Sequence, residues 1–197
     1  MKIEVNVPDG VSGNWSVSTF VVPKEDFSQM ISLMKTGRGV PEGTYKRLMR
    51  NGEVIMSNTP DEIHDFISFY RRATGSVLIN GLGLGVTLKA LAEKPGVTDI
   101  TVIENSEDVI KLVAPSYTDP KITIIHGDAF TWEPPKGKVY DAVWHDIWDN
   151  ICEDNLPEMK KLHRKYGRRT KYQESWCRER CERYARQNKK CGKKENQ

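Results

Sequence analysis

The chain has 197 residues, 38% of them apolar, and a net charge of +3, which suits one domain with small additions. No apolar run is long enough to cross a membrane. The N-terminus lacks the basic-then-apolar order of a secretion signal, so a cytoplasmic protein with reduced thiols is expected. The charge is unevenly placed: residues 158–197 hold 15 of the 30 Lys+Arg and 5 of the 27 Asp+Glu, a net of +10 against −7 for the rest. A basic end on an acidic body is a candidate contact for nucleic acid or another polyanion; the plainer reading is a solvated helix and a frayed end.

In chain order, residues 1–22 read as strands. Ile3, Val5 and Val7 alternate with polar residues, Asp9-Gly10 is a hairpin signal, and Trp15 to Val22 resumes an extended pattern. Asp26 to Met34 has a helical stripe, and Gly37 to Gly43 is a glycine-rich loop. Tyr45 to Met56 reads as two strands around Asn51-Gly52, a type I′ signal. Thr59 then caps a helix with Pro60 at its first position and Glu62 closing a capping box. Ile63, Phe66, Ile67 and Tyr70 form its apolar stripe, and Gly75 its C-terminal cap.

From Val77 the pattern alternates strand and helix. Strands are expected at Val77–Asn80, Ile100–Ile103, Ile122–Ile125 and Val139–His145, with helices from Leu84 and Ser106 between them. This is the rhythm of a parallel sheet, with ligands at the carboxyl ends of the strands. Beyond it, Asp154 starts a helix that Gly167 stops, Arg168–Gln173 is a polar edge strand, and Ser175 caps a last helix over Trp176–Gln187. No sequence for two further strands is visible.

The segment Gly81-Leu82-Gly83-Leu84-Gly85 joins the first of these strands to a helix. Glycines there let backbone approach a ligand, and a helix N-terminus offers unpaired N–H groups. The dinucleotide spacing G-x-G-x-x-G needs glycine where this chain has Val86, which favours S-adenosylmethionine over NAD. Glu104 follows Gly85 by 19 residues, at the end of the next strand, where a carboxylate can accept from both ribose hydroxyls. Asp128 is placed to accept from an adenine amino group, with Ala129 or Phe130 along the ring. His145, Asp146 and Asp149 fall at the mouth of the fourth strand; there a carboxylate can orient or deprotonate an amine nucleophile, with Trp148 as a cation–π wall. For His145 a structural role is the better expectation. Cys177 and Cys181 are spaced i, i+4, but with Cys152, Cys191 or His163 they match no strong zinc signature, so no metal is expected.

Residues 45–150 resemble the core of the class I methyltransferase and spermidine synthase superfamily. Leu48 to Met56 is similar to the hairpin that precedes that core in spermidine synthases. Tyr140-Asp141, then Asp146-x-x-Asp149, resembles their catalytic motif. The phrases Met56 to Pro60, Gly81 to Gly85 and Trp144 to Trp148 resemble uncharacterised methyltransferase-like proteins, many carried by phages. The resemblance implies S-adenosylmethionine as cofactor. The expected cofactor residues are Gly81, Leu82, Gly83, Gly85, Glu104, Asn105, Asp128 and Ala129, with Asp146 and Asp149 at the reacting centre. Two departures weigh against aminopropyl transfer: Leu84 stands where spermidine synthases carry an aspartate, and Asn150 where they carry a proline.

The expected fold is therefore an α/β, Rossmann-like three-layer sandwich. It comprises a β-rich extension (1–58), the cofactor-binding core (59–150) and a helical basic segment (151–197) that lacks the usual terminal strands. The expected function is methyl transfer to an unidentified small-molecule or macromolecular nucleophile, an amine among the candidates. The alternatives are an aminopropyltransferase and a non-catalytic cofactor- or nucleic-acid-binding protein.

Overall fold

The computed structural model describes residues 3–24, 31 and 39–191. The helix expected over Asp26–Met34 falls, apart from Ile31, outside them, as does the start of the Gly37–Gly43 loop.

Strands β1 (Gly10–Ser12), β2 (Trp15–Val22), β3 (Gly43–Arg50) and β4 (Glu53–Ser57) form an antiparallel sheet in that order. The first hairpin turns at Gly13-Asn14, not at Asp9-Gly10. Asp9 instead accepts from the backbone N–H (3.0 Å) and hydroxyl (2.8 Å) of Thr19, which draws it out of a turn position. Residues 3–9 join neither sheet; their alternation serves burial alone, with Ile3, Val5 and Val7 in the core. The Asn51-Gly52 turn forms as expected, with φ of 52° and 84°.

Helix α1 (Pro60–Arg72) follows. Thr59 is its N-cap residue and Pro60 its first residue, but the capping box does not form. The Thr59 hydroxyl pairs with Ser57 Oγ (3.0 Å), and Glu62 Oε1 reaches past it to the Ser57 N–H (3.4 Å). The buried stripe is Ile63, Phe66 and Phe69, while Ile67 and Tyr70 are half-buried. Phe69 takes the central place because it packs on Trp144 and Tyr172, with ring centroids 5.1 and 5.9 Å away. Ala73 is the C-cap; Gly75 opens the next strand.

The second sheet is parallel throughout, in the order β7-β6-β5-β8-β9. Its strands are β5 (Gly75–Asn80), β6 (Val97–Glu104), β7 (Ile122–His126), β8 (Ala142–His145) and β9 (Gln173–Ser175). Central β5 is buried from Ser76 to Asn80, as a strand covered on both faces must be. The edge strand lies at Gln173–Ser175, later than expected, and only a single bridge joins Thr170 to Tyr140. Helices α2 (Val86–Ala92), α3 (Glu107–Val113), α4 (Asn155–Tyr166) and α5 (Arg178–Cys191) complete the layers. Ser106 caps α3 by accepting from the Val109 N–H (3.3 Å). Met159, Leu162 and Tyr166 bury the inner face of α4 completely. Cys177 stands outside α5 with φ of 49°, so the two cysteines do not share a helix face. This is a Rossmann-like α/β fold, and among the described residues no antiparallel hairpin extends the sheet past β9.

The strand order reverses between β5 and β8, so the crevice opens at their carboxyl ends. The first sheet covers that crevice. Its Val17 and Leu48 belong to the same core cluster as β5, and Ser12 Oγ donates to Asp108 of α3 at 2.6 Å.

Candidate functional site

A cavity of about 410 Å³ lies over the carboxyl ends of β5, β6 and β8, within the usual size range for a small-molecule site. Gly81, Leu82, Gly83, Glu104, Asn105, Asp128, Ala129, Asp146 and Asp149 all line it. These residues come from four separate loops, and the parallel strand order brings them together. Gly85 is the exception among the expected set. It sits beneath the Tyr117 ring, whose hydroxyl donates to the Leu84 carbonyl at 2.7 Å. Its φ is 74° and a Cβ would overlap the Tyr117 ring, so both the backbone and the packing call for glycine there.

The loop from Gly81 to Gly85 uses its own N–H groups. Gly81 donates to Ile103 O (2.8 Å), Leu82 to Glu104 Oε2 (2.9 Å), Leu84 to Met56 Sδ (3.1 Å) and Gly85 to Leu82 O (2.8 Å). Four of the five loop N–H groups are thus engaged within the protein, while those of Val86, Thr87 and Leu88 precede the first bond of α2, from Lys89 N–H to Gly85 O, and carry no side-chain cap. Gly81 itself is obligatory: its φ is 100°, and a Cβ would overlap the Asp146 carbonyl oxygen.

Glu104 is buried and pinned at both oxygens, by Leu82 N–H and by Ser106 N–H (2.8 Å). Each carboxylate oxygen can accept a further hydrogen bond. Asp128 is exposed and lines the cavity; its Oδ1 accepts from Phe130 N–H at 2.7 Å. Ile103, Val109, Ala129 and Phe130 supply an apolar wall between the two carboxylates. Lys161 stands over the Phe130 ring, 4.8 Å from its centroid.

At the other end, Asp146 follows β8 and its N–H donates to Asn80 O at 2.8 Å. Its Oδ2 accepts from Trp144 Nε1 at 3.3 Å. Burial pushes its carboxyl up to about 7, against the Trp144 hydrogen bond and helped by nearby Asp65. Glu62, from the first turn of α1, lines the same cavity. Burial, and then the charge of Asp146, push its carboxyl up to about 8. Asp149 is paired with Arg50 of β3 at the exposed rim, and Arg50 lies over the Trp15 ring. Trp148 lines the wall and donates to Glu158 Oε2 at 2.8 Å.

His145 takes no part in the cavity. It is fully buried, with Nδ1 2.8 Å from Asn80 Nδ2 and Nε2 3.1 Å from Gln173 Oε1. That pattern makes Nε2 the donor and Nδ1 the acceptor. Burial depresses its pKa to about 3, so it stays neutral and ties β8 to β9. Among the described residues no group of three or more His, Cys, Asp and Glu is placed to hold a metal.

Sequence reasoning missed Glu62, Trp15, Arg50, Met56 and Trp176 as lining residues. Glu62 was hidden by its capping-box spacing, a local signal that the fold overrides. The others sit in segments whose only visible pattern was a strand, a hairpin or a cap.

No protein-family model matches the chain. Over an alignment of 116 positions that covers 52% of this chain and 22% of the other, the chain is 29% identical to polyamine aminopropyltransferase 1 of Streptomyces coelicolor. The chain thus spans about a fifth of the length of that curated relative. Among solved structures it resembles the CcbJ methyltransferase of Streptomyces caelestis, with a TM-score of 0.45, 19% identity, and coverage of 57% of this chain and 45% of that one. It also resembles SAM-bound CalS10, an amino pentose methyltransferase from Micromonospora echinaspora, with a TM-score of 0.42, 19% identity, and coverage of 58% and 48%. Likenesses of this size concern the fold.

Proposed function

We propose that the chain binds S-adenosylmethionine in this cavity and transfers its methyl group to a nucleophile of the amine class. The charge of the cavity carries the reading. Among the described residues six acidic side chains line it, Glu62, Glu104, Asp128, Asp146, Asp149 and Glu158, against one guanidinium, that of Arg50. Such a site favours a cationic ligand and repels a diphosphate.

S-adenosylmethionine, when bound, supplies an electrophilic methyl group on a sulfonium. Glu104 is suited to accept from the ribose hydroxyls with the acceptor capacity its two loop bonds leave. Asp128 Oδ2 is suited to the adenine amino group, with the ring against Ala129 and Phe130. Asp146 would hold the acceptor, and Trp148, Trp15 and Trp176 would wall a cationic group. The chemistry is an in-line displacement, so positioning outweighs strong acid–base help. Calorimetry with S-adenosylhomocysteine and NAD tests the assignment; tighter binding of NAD would overturn it.

A second reading, aminopropyl transfer, is favoured by the likeness to the Streptomyces coelicolor protein. Leu84 and Asn150 count against it, because they replace the loop aspartate and motif proline of spermidine synthases. The adenosine product decides between them: S-adenosylhomocysteine from methyl transfer, 5′-methylthioadenosine from aminopropyl transfer. We also propose the basic C-terminal segment as a contact for nucleic acid. Lys160, Arg164 and Arg168 are exposed at four-residue spacing along and just past α4. Like charges at that spacing oppose one another, and a phosphate backbone would relieve them.

A further inference from the structure

The cavity holds two acids where one would suffice to orient a nucleophile. Glu62 enters from the first turn of α1 and Asp146 from the loop after β8; both line the cavity, and the charge of Asp146 acts on Glu62. Glu62 is not held as a helix cap should be. Its one backbone bond is a long one, 3.4 Å from the Ser57 N–H, and Thr59 has turned away to Ser57 Oγ. The local sequence supplies a capping box, yet the carboxyl is spent inside the cavity.

We propose that Glu62 is the proton acceptor for the methyl-accepting nitrogen, acting as a pair with Asp146. This rests on the assignment of the cavity as a methyl-transfer site. A free amine is protonated near neutral pH and has no lone pair to attack with. In the proposed step the substrate ammonium gives one proton to the Glu62 carboxylate, and the N–H electron pair stays on nitrogen. That pair forms the N–C bond to the methyl carbon as the S–C bond breaks, and the S–C electrons remain on sulfur. Asp146, held by the Trp144 indole N–H, keeps the nitrogen in line. The nitrogen is thus uncharged as it attacks and cationic again once methylated, and Glu62 later loses its proton to solvent.

The surroundings suit this task. Asp61 and Asp65 lie near Glu62 on its own helix, and Asp146 faces it from the β8 loop. Arg50, the one cation lining the cavity among the described residues, is engaged by Asp149 at the rim. The Glu62 carboxyl is pushed up to about 8 by burial and by these acids, in the direction a general base for an amine requires.

The test uses the full chain saturated with S-adenosylhomocysteine and ethylamine as the probe. Ethylamine binding is followed by calorimetry in buffers of different ionisation enthalpy, which counts protons released. The wild type should bind ethylamine and release protons near pH 7, as the ammonium displaces the proton of the acid pair. Glu62→Gln should weaken ethylamine binding by about tenfold or more and remove most of that release. Its affinity for S-adenosylhomocysteine should stay within about twofold. Ethylamine binding and proton release unchanged in a folded Glu62→Gln protein would overturn the proposal while leaving the cofactor assignment intact. So would a wild type that ignores millimolar ethylamine. Carbon-13 NMR of the Glu62 carboxyl serves where the variant does not fold: titration near the ordinary 4.5 would also overturn it. Failure of S-adenosylhomocysteine to bind the wild type would instead remove the methyl-transfer reading.

Discussion

Replacing Glu104 by glutamine changes one oxygen to an amino group and leaves the shape of the side chain alone. The carboxylate now accepts from Leu82 N–H and Ser106 N–H, at 2.9 and 2.8 Å. An amide presents one acceptor and one donor, so one of these two N–H groups must face an N–H. A hydrogen bond to a charged group contributes about 1.5–3 kcal/mol, and that is the stability loss expected. For a chain of this size it lowers Tm by roughly 3–12 °C. If the same carboxylate also accepts the ribose hydroxyls, S-adenosylhomocysteine should bind about 10- to 100-fold more weakly. Thermal melts and calorimetry on the same preparation read both effects. A lower Tm with unchanged affinity would mean that Glu104 only staples the glycine loop and that the ribose lies elsewhere. No change in either would refute the geometry itself.

The folded-state pKa of Glu62 is raised from 4.5 to about 8, so the folded chain holds more protons than the unfolded one between those values. Stability should fall as pH rises through that window, and Glu62→Gln should be more stable than wild type at pH 9 by about 1–3 kcal/mol but little different near pH 5. Melts across that range check it, and a constant gap would contradict it. Asp146→Asn should lower turnover by about 10²-fold or more with little change in cofactor affinity, once an acceptor is known. Asp149→Asn should cost less than about 1 kcal/mol in stability, because its pair with Arg50 is exposed. Gly81→Ala should abolish cofactor binding in titration calorimetry and lower Tm, since the Cβ meets the Asp146 backbone; a wild-type profile would show that the loop can shift. Binding of a short DNA duplex, read by fluorescence anisotropy against salt, should lose about one unit of log–log slope for each neutralised contact among Lys160, Arg164 and Arg168. Absence of salt-dependent binding would dismiss that surface.

The sheet was legible in the sequence because its signals are local. Val77 to Ile79, Val102 to Ile103 and Val143 to Trp144 are apolar runs of the kind a doubly covered parallel sheet buries, and glycines and polar turns punctuate them. The same locality singled out Gly81, Glu104 and Asp128 as candidates, since each lies at or within two residues of a strand end and strand ends converge on the crevice. What the sequence misplaced depended on contacts between distant segments. Glu62 has the spacing of a cap, but burial beside Asp146, 84 positions away, gives it a different environment. Gly85 has the spacing of a ligand loop, but Tyr117 fills the space above it. Phe69 displaced Ile67 and Tyr70 from the core because Trp144 and Tyr172 lie beneath it. Periodicity reports which face of an element is apolar; it does not report what the other elements bring to that face. The sequence by itself determined the parallel sheet and the glycine loop, through patterning that holds within each element. Only the tertiary structure decided the roof of the cavity and its acid pair, because those arise where α1, β3 and the β8 loop meet and low-dielectric burial changes the chemistry of the groups enclosed.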